Sequence, residues 1–134
     1  MIMKILSTIL LTLLIVFGAC TSPQVSPDPF VRVSNGRLTV NGKPYYYIGT
    51  NFWYGAILGS QGQGGNRERL LRELDYLKAL GINNLRVLVG ADGKDGIPTK
   101  AEPALQVEAG VYNDTIFDGL DFFLSELDKR DMYA

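Results

Sequence analysis

"GINNLRVLVG", residues 81–90, decides the fold. Its core, Leu85 to Val89, is a short apolar run next to a glycine, the pattern of a buried strand. Arg86 interrupts it. An unpaired buried charge costs several kcal/mol, so an arginine there calls for a partner. Alternation along a strand sends Leu85 and Val87 to one face and Arg86 and Leu88 to the other. A surface arginine on an edge strand is the plainer reading of the same residues.

The segment before it reads as a helix. Asn66 is a fitting N-cap, and Arg67 to Leu80 carries Leu70, Leu71, Leu74, Leu77 and Leu80 at helical spacing. Glu68 and Arg72 form an i,i+4 pair on the wet side, and Gly81 stands where glycine ends helices. Further upstream, "FVRVSNGRLTVNGKPYYYIG" (30–49) alternates about Asn35-Gly36, a dipeptide suited to a two-residue turn with positive φ. Val31 and Val33 face one way, as do Leu38 and Val40 on the return. A second turn at Asn41-Gly42 leads through Pro44 into an expected strand from Tyr45 to Thr50. A Gly-rich loop, "NFWYGAILGSQGQGG" (51–65), connects that strand to the helix.

Downstream, Gly90 to Asp114 shows no periodicity and holds Pro98 and Pro103 with several glycines, which reads as one long loop. A second helix is expected from Thr115 to about Arg130. Its buried face would be Ile116, Leu120, Phe123, Leu124 and Leu127. Asp114 and Asp118 lie near its positive end, Lys129 and Arg130 near its negative end. "DMYA" (131–134) has the look of a third strand starting. Hairpin, β, α, β, α is the order of a parallel α/β sheet with helical crossovers.

Composition excludes several chemistries. No histidine is present, so Ser-His-Asp and Cys-His triads and histidine-bound metals are ruled out. The single cysteine forms neither an internal disulfide nor a thiolate zinc site. A net charge of −1 leaves no basic footprint for nucleic acid. No cofactor and no metal site is expected.

The first residues read as an export signal. Lys4 precedes an apolar run from Ile5 to Phe17, shorter than the roughly 20 residues of a spanning helix. "FGAC" (17–20) resembles a bacterial lipobox, with Phe17 departing from the usual leucine. Residues 1–19 are therefore expected to be a lipoprotein signal peptide, with Cys20 as the lipid attachment residue. Residues 20–29 form a Pro- and Ser-rich tether, and 30–134 the folded part. That places the protein outside the cytoplasm, lipid-anchored at the outer membrane or cell surface. A membrane anchor helix, and a signal cut at Ala19 with an incidental cysteine, are the alternatives.

Sites in parallel α/β architectures form at the carboxyl ends of strands. Two loops leave those ends. The first opens with Asn51, Phe52, Trp53 and Tyr54; the second carries Asp92, Asp95, Glu102, Gln106 and Glu108. Aromatic rings with amides suit the apolar faces and hydroxyls of sugars, which makes Asn51, Trp53 and Tyr54 candidate substrate contacts. Packing of the loop is the other reading of Trp53 and Tyr54. Glu68, Glu73, Asp75, Glu126, Asp128 and Asp131 lie on or beside helices and read as solvated. No facing carboxylate pair of the kind glycoside hydrolysis requires can be assembled from these residues.

"GKPYYYIGTNFWYG" (42–55), "RLLRELDYLKALGINNLRVLVGAD" (69–92), "PALQVEAGVYN" (103–113) and "GLDFFLSELDKRDM" (119–132) together resemble the N-terminal part of family 5 glycoside hydrolases. The resemblance is closest to secreted endo-β-1,4-mannanases and covers about residues 30–134. It implies the opening of a (β/α)8 barrel, a β-hairpin plus two βα units, in a retaining hydrolase of β-mannan or a related plant polysaccharide. It also implies a monomer when complete. Arg86 matches the family's second-strand arginine, which holds the nucleophilic glutamate of strand seven; its bidentate fork suits a carboxylate. The acid/base and nucleophile glutamates follow strands four and seven in this family. No catalytic carboxylate is thus expected within the chain, and the chain by itself is expected to be inactive. Another family 5 glycosidase, such as an endoglucanase, and a non-catalytic polysaccharide-binding surface lipoprotein are the competing readings.

Overall fold

Asn35 and Gly36 both adopt positive φ, 50° and 72°, and close a tight hairpin. It joins β1 (Arg32–Ser34) to β2 (Arg37–Val40), with Val33 opposite Leu38. Asn41 and Gly42 repeat the device at 51° and 73° and lead into β3 (Lys43–Pro44). The computed structural model describes residues 28–88, 90–98 and 101–134. It divides into two units, the first ending at Tyr45 with this hairpin, the second running from Tyr46 to Ala134. The expected signal peptide, Cys20 and most of the expected tether lie outside the described residues, as does Val89 at the end of the expected second strand. Among the described residues no helix is long and apolar enough to cross a membrane.

In the second unit, β4 (Gly49–Asn51) runs parallel to β5 (Asn84–Arg86), pairing Gly49 with Asn84, Thr50 with Leu85 and Asn51 with Arg86. The expected strand from Tyr45 is shorter than its apolar pattern suggested. The reason is Asn83: its amide accepts from the Ile48 N–H at 2.9 Å and donates to the Tyr46 carbonyl at 3.1 Å. A side chain thus takes the place of a neighbouring strand there. On the other side of β5, Leu85 N–H donates to the Tyr133 carbonyl at 2.8 Å and Tyr133 N–H to the Asn83 carbonyl at 3.0 Å. The expected third strand has therefore begun, in parallel pairing.

Three helices cover one face. α1 (Gly55–Gly59) lies within the segment expected to be a loop. α2 (Arg67–Ala79) starts at Asn66, whose side chain accepts from the Arg69 N–H at 2.9 Å, and Gly81 follows it at φ 81°. Glu68 and Arg72 pair as expected. α3 (Asp114–Asp128) is capped by Asn113, which accepts from the Thr115 N–H at 3.1 Å. Phe52, Leu58, Leu70, Leu74, Leu85, Phe123, Leu127 and Met132 form the core, with the Phe52 and Phe123 rings stacked at 5.7 Å. α1 packs on α3 backbone to backbone: a Cβ on Gly59 would stand 2.2 Å from the Gly119 carbonyl oxygen.

Three burial expectations are corrected. Leu80 and Leu124 are exposed, because each stands at the margin of its helix's apolar stripe. Glu126, expected to be solvated, is only 7% exposed. It is held by Lys129 and by Arg130, whose Nη1 donates to Glu126 Oε2 at 2.7 Å. Arg130 Nε reaches across to Asp75 of α2 at 2.7 Å, and Lys78 of α2 donates to the Arg130 carbonyl. The buried carboxylate is thus the anchor of an inter-helix clamp, and hydrogen bonds from Lys129 and then Arg130 hold its pKa below the usual glutamate value. A charge with that many partners is buried without being orphaned.

Part of the segment expected to be one long loop has regular structure. It contains a small hairpin, β6 (Gln106–Glu108) and β7 (Val111–Tyr112), and Asp92 bridges to Gln106 beside it. The turn uses Gly110 at φ 78°, and its N–H donates to Gln106 Oε1 at 3.1 Å.

Candidate functional site

The parallel register brings Asn51 and Arg86 side by side at the carboxyl ends of β4 and β5. Phe52 N–H continues the ladder to the Arg86 carbonyl at 2.9 Å. Leu85, between Asn84 and Arg86, is buried under the helices, so Arg86 emerges on the opposite face, as alternation requires. There its Nη1 donates to Asn51 Oδ1 at 3.4 Å. Among the described residues no carboxylate pairs with it. Arg86 and Asn51, with Tyr47, Gly49, Thr50 and Asn84, line an open cavity of about 370 Å³. A guanidinium fixed at the end of a strand, with an amide beside it, is equipped to receive an anion in a defined plane.

Tyr47, Gly49, Thr50 and Asn84 went unremarked as lining residues in the sequence. Gly49 and Asn84 were legible in principle: they are two residues before Asn51 and Arg86, on the same faces of their strands.

The aromatic candidates separate. Trp53 is 51% exposed and meets Tyr54 edge-on at 5.3 Å. Its indole N–H makes no hydrogen bond among the described residues. Tyr54 turns toward α2. Its hydroxyl donates to Glu73 Oε2 at 2.9 Å, its ring lies 4.6 Å from that of Phe52, and the Arg69 guanidinium sits over it at 5.6 Å. Burial and then the Glu73 hydrogen bond raise its phenol pKa above the ordinary value. Glu73, held by Tyr54 and by Arg69 Nε at 2.6 Å, is a half-buried anchor rather than a solvated group.

The loop carboxylates are occupied with their own loop. Asp92 Oδ1 accepts from Gln106 Nε2 at 2.9 Å, Asp95 Oδ1 accepts from the Ala104 N–H at 2.8 Å, and Glu102 accepts from the Gly96 N–H. Glu108 is exposed at the end of β6. No group of carboxylates placed to hold a metal ion occurs among the described residues.

A family model described as GH family 5 beta-mannosidase-like matches residues 28–134. Mannan endo-1,4-beta-mannosidase 1 of Oryza sativa subsp. japonica is 35% identical over 101 residues, covering 75% of this chain and 21% of its own length. Mannan endo-1,4-beta-mannosidase 5 of Solanum lycopersicum is 32% identical over 101 residues, 75% of this chain and 22% of its own. The crystal structure of the glycoside hydrolase family 5 mannosidase from Rhizomucor miehei superposes with a TM-score of 0.75 at 35% identity, over 81% of this chain and 27% of that one. A mutant of that protein has been solved in complex with mannosyl-fructose and gives a TM-score of 0.73. The chain thus spans roughly a quarter of the length of the relatives it matches.

Proposed function

Because this chain belongs to the GH family 5 beta-mannosidase-like family, we propose that it is the N-terminal part of an endo-β-1,4-mannanase that hydrolyses mannan-type polysaccharide with retention. β4, β5 and the strand begun at Tyr133, with α2 and α3, are the opening βα units of the family's (β/α)8 barrel. The observation that carries the reading is the Asn51–Arg86 pair at the carboxyl ends of two adjacent parallel strands. In such a barrel that end bears the chemistry. Retaining hydrolysis needs two carboxyl groups about 5–5.5 Å apart, one attacking the sugar and the other giving and then taking a proton. Arg86 contributes its fork to the attacking carboxylate, holding it ionised and in plane. Asn51 and Trp53 offer an amide and an exposed ring to the sugar beside that bond, and Tyr54 supports them while tied to Glu73. The carboxylate pair itself is not among the described residues.

The test is hydrolysis of β-1,4-mannan, against cellulose, by the natural gene product that carries this chain. Shorter manno-oligosaccharides that retain the β-anomer at release support the reading. Cleavage of cellulose alone would make it an endoglucanase, and retention of mannan without cleavage a binding lipoprotein.

The same reading places the protein outside the cytoplasm on a lipid anchor. The Gly18-Ala19-Cys20 junction and the polar Thr21–Pro29 stretch support it. Metabolic labelling with a fatty-acid analogue is expected to mark the wild type and not Cys20→Ala. Equal labelling of the two, or of neither, would exclude the anchor.

A further inference from the structure

We propose that Glu73 of α2, with Arg69 beside it, is a positioning residue for the candidate site: it acts through the Tyr54 hydroxyl to set the orientation of the Trp53 ring. The proposal rests on the mannanase reading and deepens it, because it brings into the site two helix residues that lie outside the loops at the strand ends.

The backbone that carries Trp53 is fixed on both sides. Phe52 N–H donates to the Arg86 carbonyl at 2.9 Å, and the Tyr54 carbonyl accepts from the Leu58 N–H of α1 at 3.0 Å. The Trp53 side chain has no such tie. The one ring it meets among the described residues is that of Tyr54, edge-on at 5.3 Å with planes at 83°. Where the Tyr54 ring stands therefore decides where the indole stands.

Tyr54 in turn is held from outside its loop. It stands at the N-cap of α1, yet its side chain makes no capping bond. The hydroxyl reaches 19 residues along the chain instead, donating to Glu73 Oε2 at 2.9 Å. The other carboxylate oxygen accepts from Arg69 Nε at 2.6 Å, and the Arg69 guanidinium carbon lies 5.6 Å from the centre of the Tyr54 ring. The Phe52 ring adds a tilted contact at 4.6 Å. Asn66 ties the two helices together: its Oδ1 accepts from the Arg69 N–H at 2.9 Å, and its own N–H donates to the Leu58 carbonyl of α1 at 2.8 Å. Tyr54, α1 and α2 thus close a circuit of hydrogen bonds. Arginine four residues before glutamate is the weaker order of an ion pair for a helix by itself. What the pair does here is present a charged, oriented acceptor to a phenol, and such a bond is stronger than a neutral one. Aromatic contacts depend on ring orientation, so a phenol held in place holds its neighbour ready for a ligand.

The experiment compares the natural gene product with Tyr54→Phe, Glu73→Leu, the double variant and Glu73→Gln, measuring KM and kcat on mannohexaose together with the thermal midpoint. Each of Tyr54→Phe and Glu73→Leu is expected to raise KM at least about threefold, the scale of one lost hydrogen bond. kcat is expected to change less than KM, because the contact that is lost serves ground and transition states alike. The double variant is expected to lose no more than either single one, since both remove the same bond. Glu73→Gln keeps an acceptor and is expected to lie closer to wild type than Glu73→Leu. Tyr54→Phe removes a single oxygen and carries the test if Glu73→Leu does not fold. A lowered midpoint with an unchanged KM overturns the proposal in favour of an anchor that merely satisfies a half-buried phenol. Fully additive losses in the double variant overturn the route through Tyr54. Either result leaves the mannanase reading intact, whereas absence of mannohexaose cleavage by the unaltered protein overturns that reading and the proposal with it.

Discussion

The Gly119→Ala variant is expected to unfold at least about 2 kcal/mol more easily than wild type. Alanine is the best helix former, and at a free position in α3 it would stabilise by about 1 kcal/mol. At position 119 the added Cβ would stand 2.2 Å from the Ala56 carbonyl oxygen, 2.5 Å from the Ser60 nitrogen and 2.8 Å from the Ser60 Cα. All three are backbone atoms of α1 or its cap, so no rotamer change relieves the overlap. Either α1 moves off α3 or the helix bends, and overpacking of this kind costs about 1–3 kcal/mol or more. The sign of the effect decides the matter. In urea the midpoint is expected to fall by about 0.7 M or more, given a slope of about 1–3 kcal/mol per M for a small protein. A midpoint at or above that of wild type would show that α1 does not sit on α3 as described. α1 also bears the functional consequence, because it follows Trp53 and Tyr54 directly and fixes where they stand.

The second large effect concerns Arg86→Lys in the natural gene product. Lysine keeps the positive charge and loses the planar fork. Asn51 Oδ1, which accepts from Arg86 Nη1 at 3.4 Å, helps to orient that plane. A catalytic carboxylate left without its bidentate partner is expected to cost at least about tenfold in kcat, about 1.4 kcal/mol of transition-state stabilisation. Folding is expected to change little, because Arg86 is exposed in the cavity and carries no part of the core. A kcat on mannan near that of wild type would remove Arg86 from the role proposed for it.

What could be read without a structure was what short-range chemistry controls. Asn-Gly at 35–36 and 41–42 tolerates positive φ, and both turns formed there. Asn66 caps a helix because its side chain reaches an N–H three residues on, and Gly81 ends that helix because it lacks a Cβ. The position of Arg86 followed from the two-residue period of a strand, and the third strand at Tyr133 from the order of elements. The candidate site was legible to the same extent: Asn51 and Arg86 came from pattern and resemblance, and the register made them neighbours.

The sequence by itself thus determined the turns, the helix ends, the parallel α/β order and the face on which Arg86 emerges, because each depends on residues within about one helical turn or one strand repeat. The tertiary structure alone decided the rest. Gly55–Gly59 is too short and too rich in glycine to be helical on propensity, and takes that form packed on Gly119 of α3. Tyr45–Ile48 has the apolar look of a strand, yet Asn83, 35 residues after Ile48, bonds that segment through its side chain. Glu126 looked like a wet charge, but Lys129 and Arg130 pair with it, and Arg130 is itself held by Asp75 of α2 once α2 and α3 are docked. Tyr54 was open to two readings, a substrate contact or packing of its loop, and only the fold shows that its hydroxyl donates to Glu73 of α2. In the first, second and last cases the deciding partner is distant in sequence, and for Glu126 it is Asp75 of α2 that fixes Arg130; local pattern carries no information about where such a partner will stand.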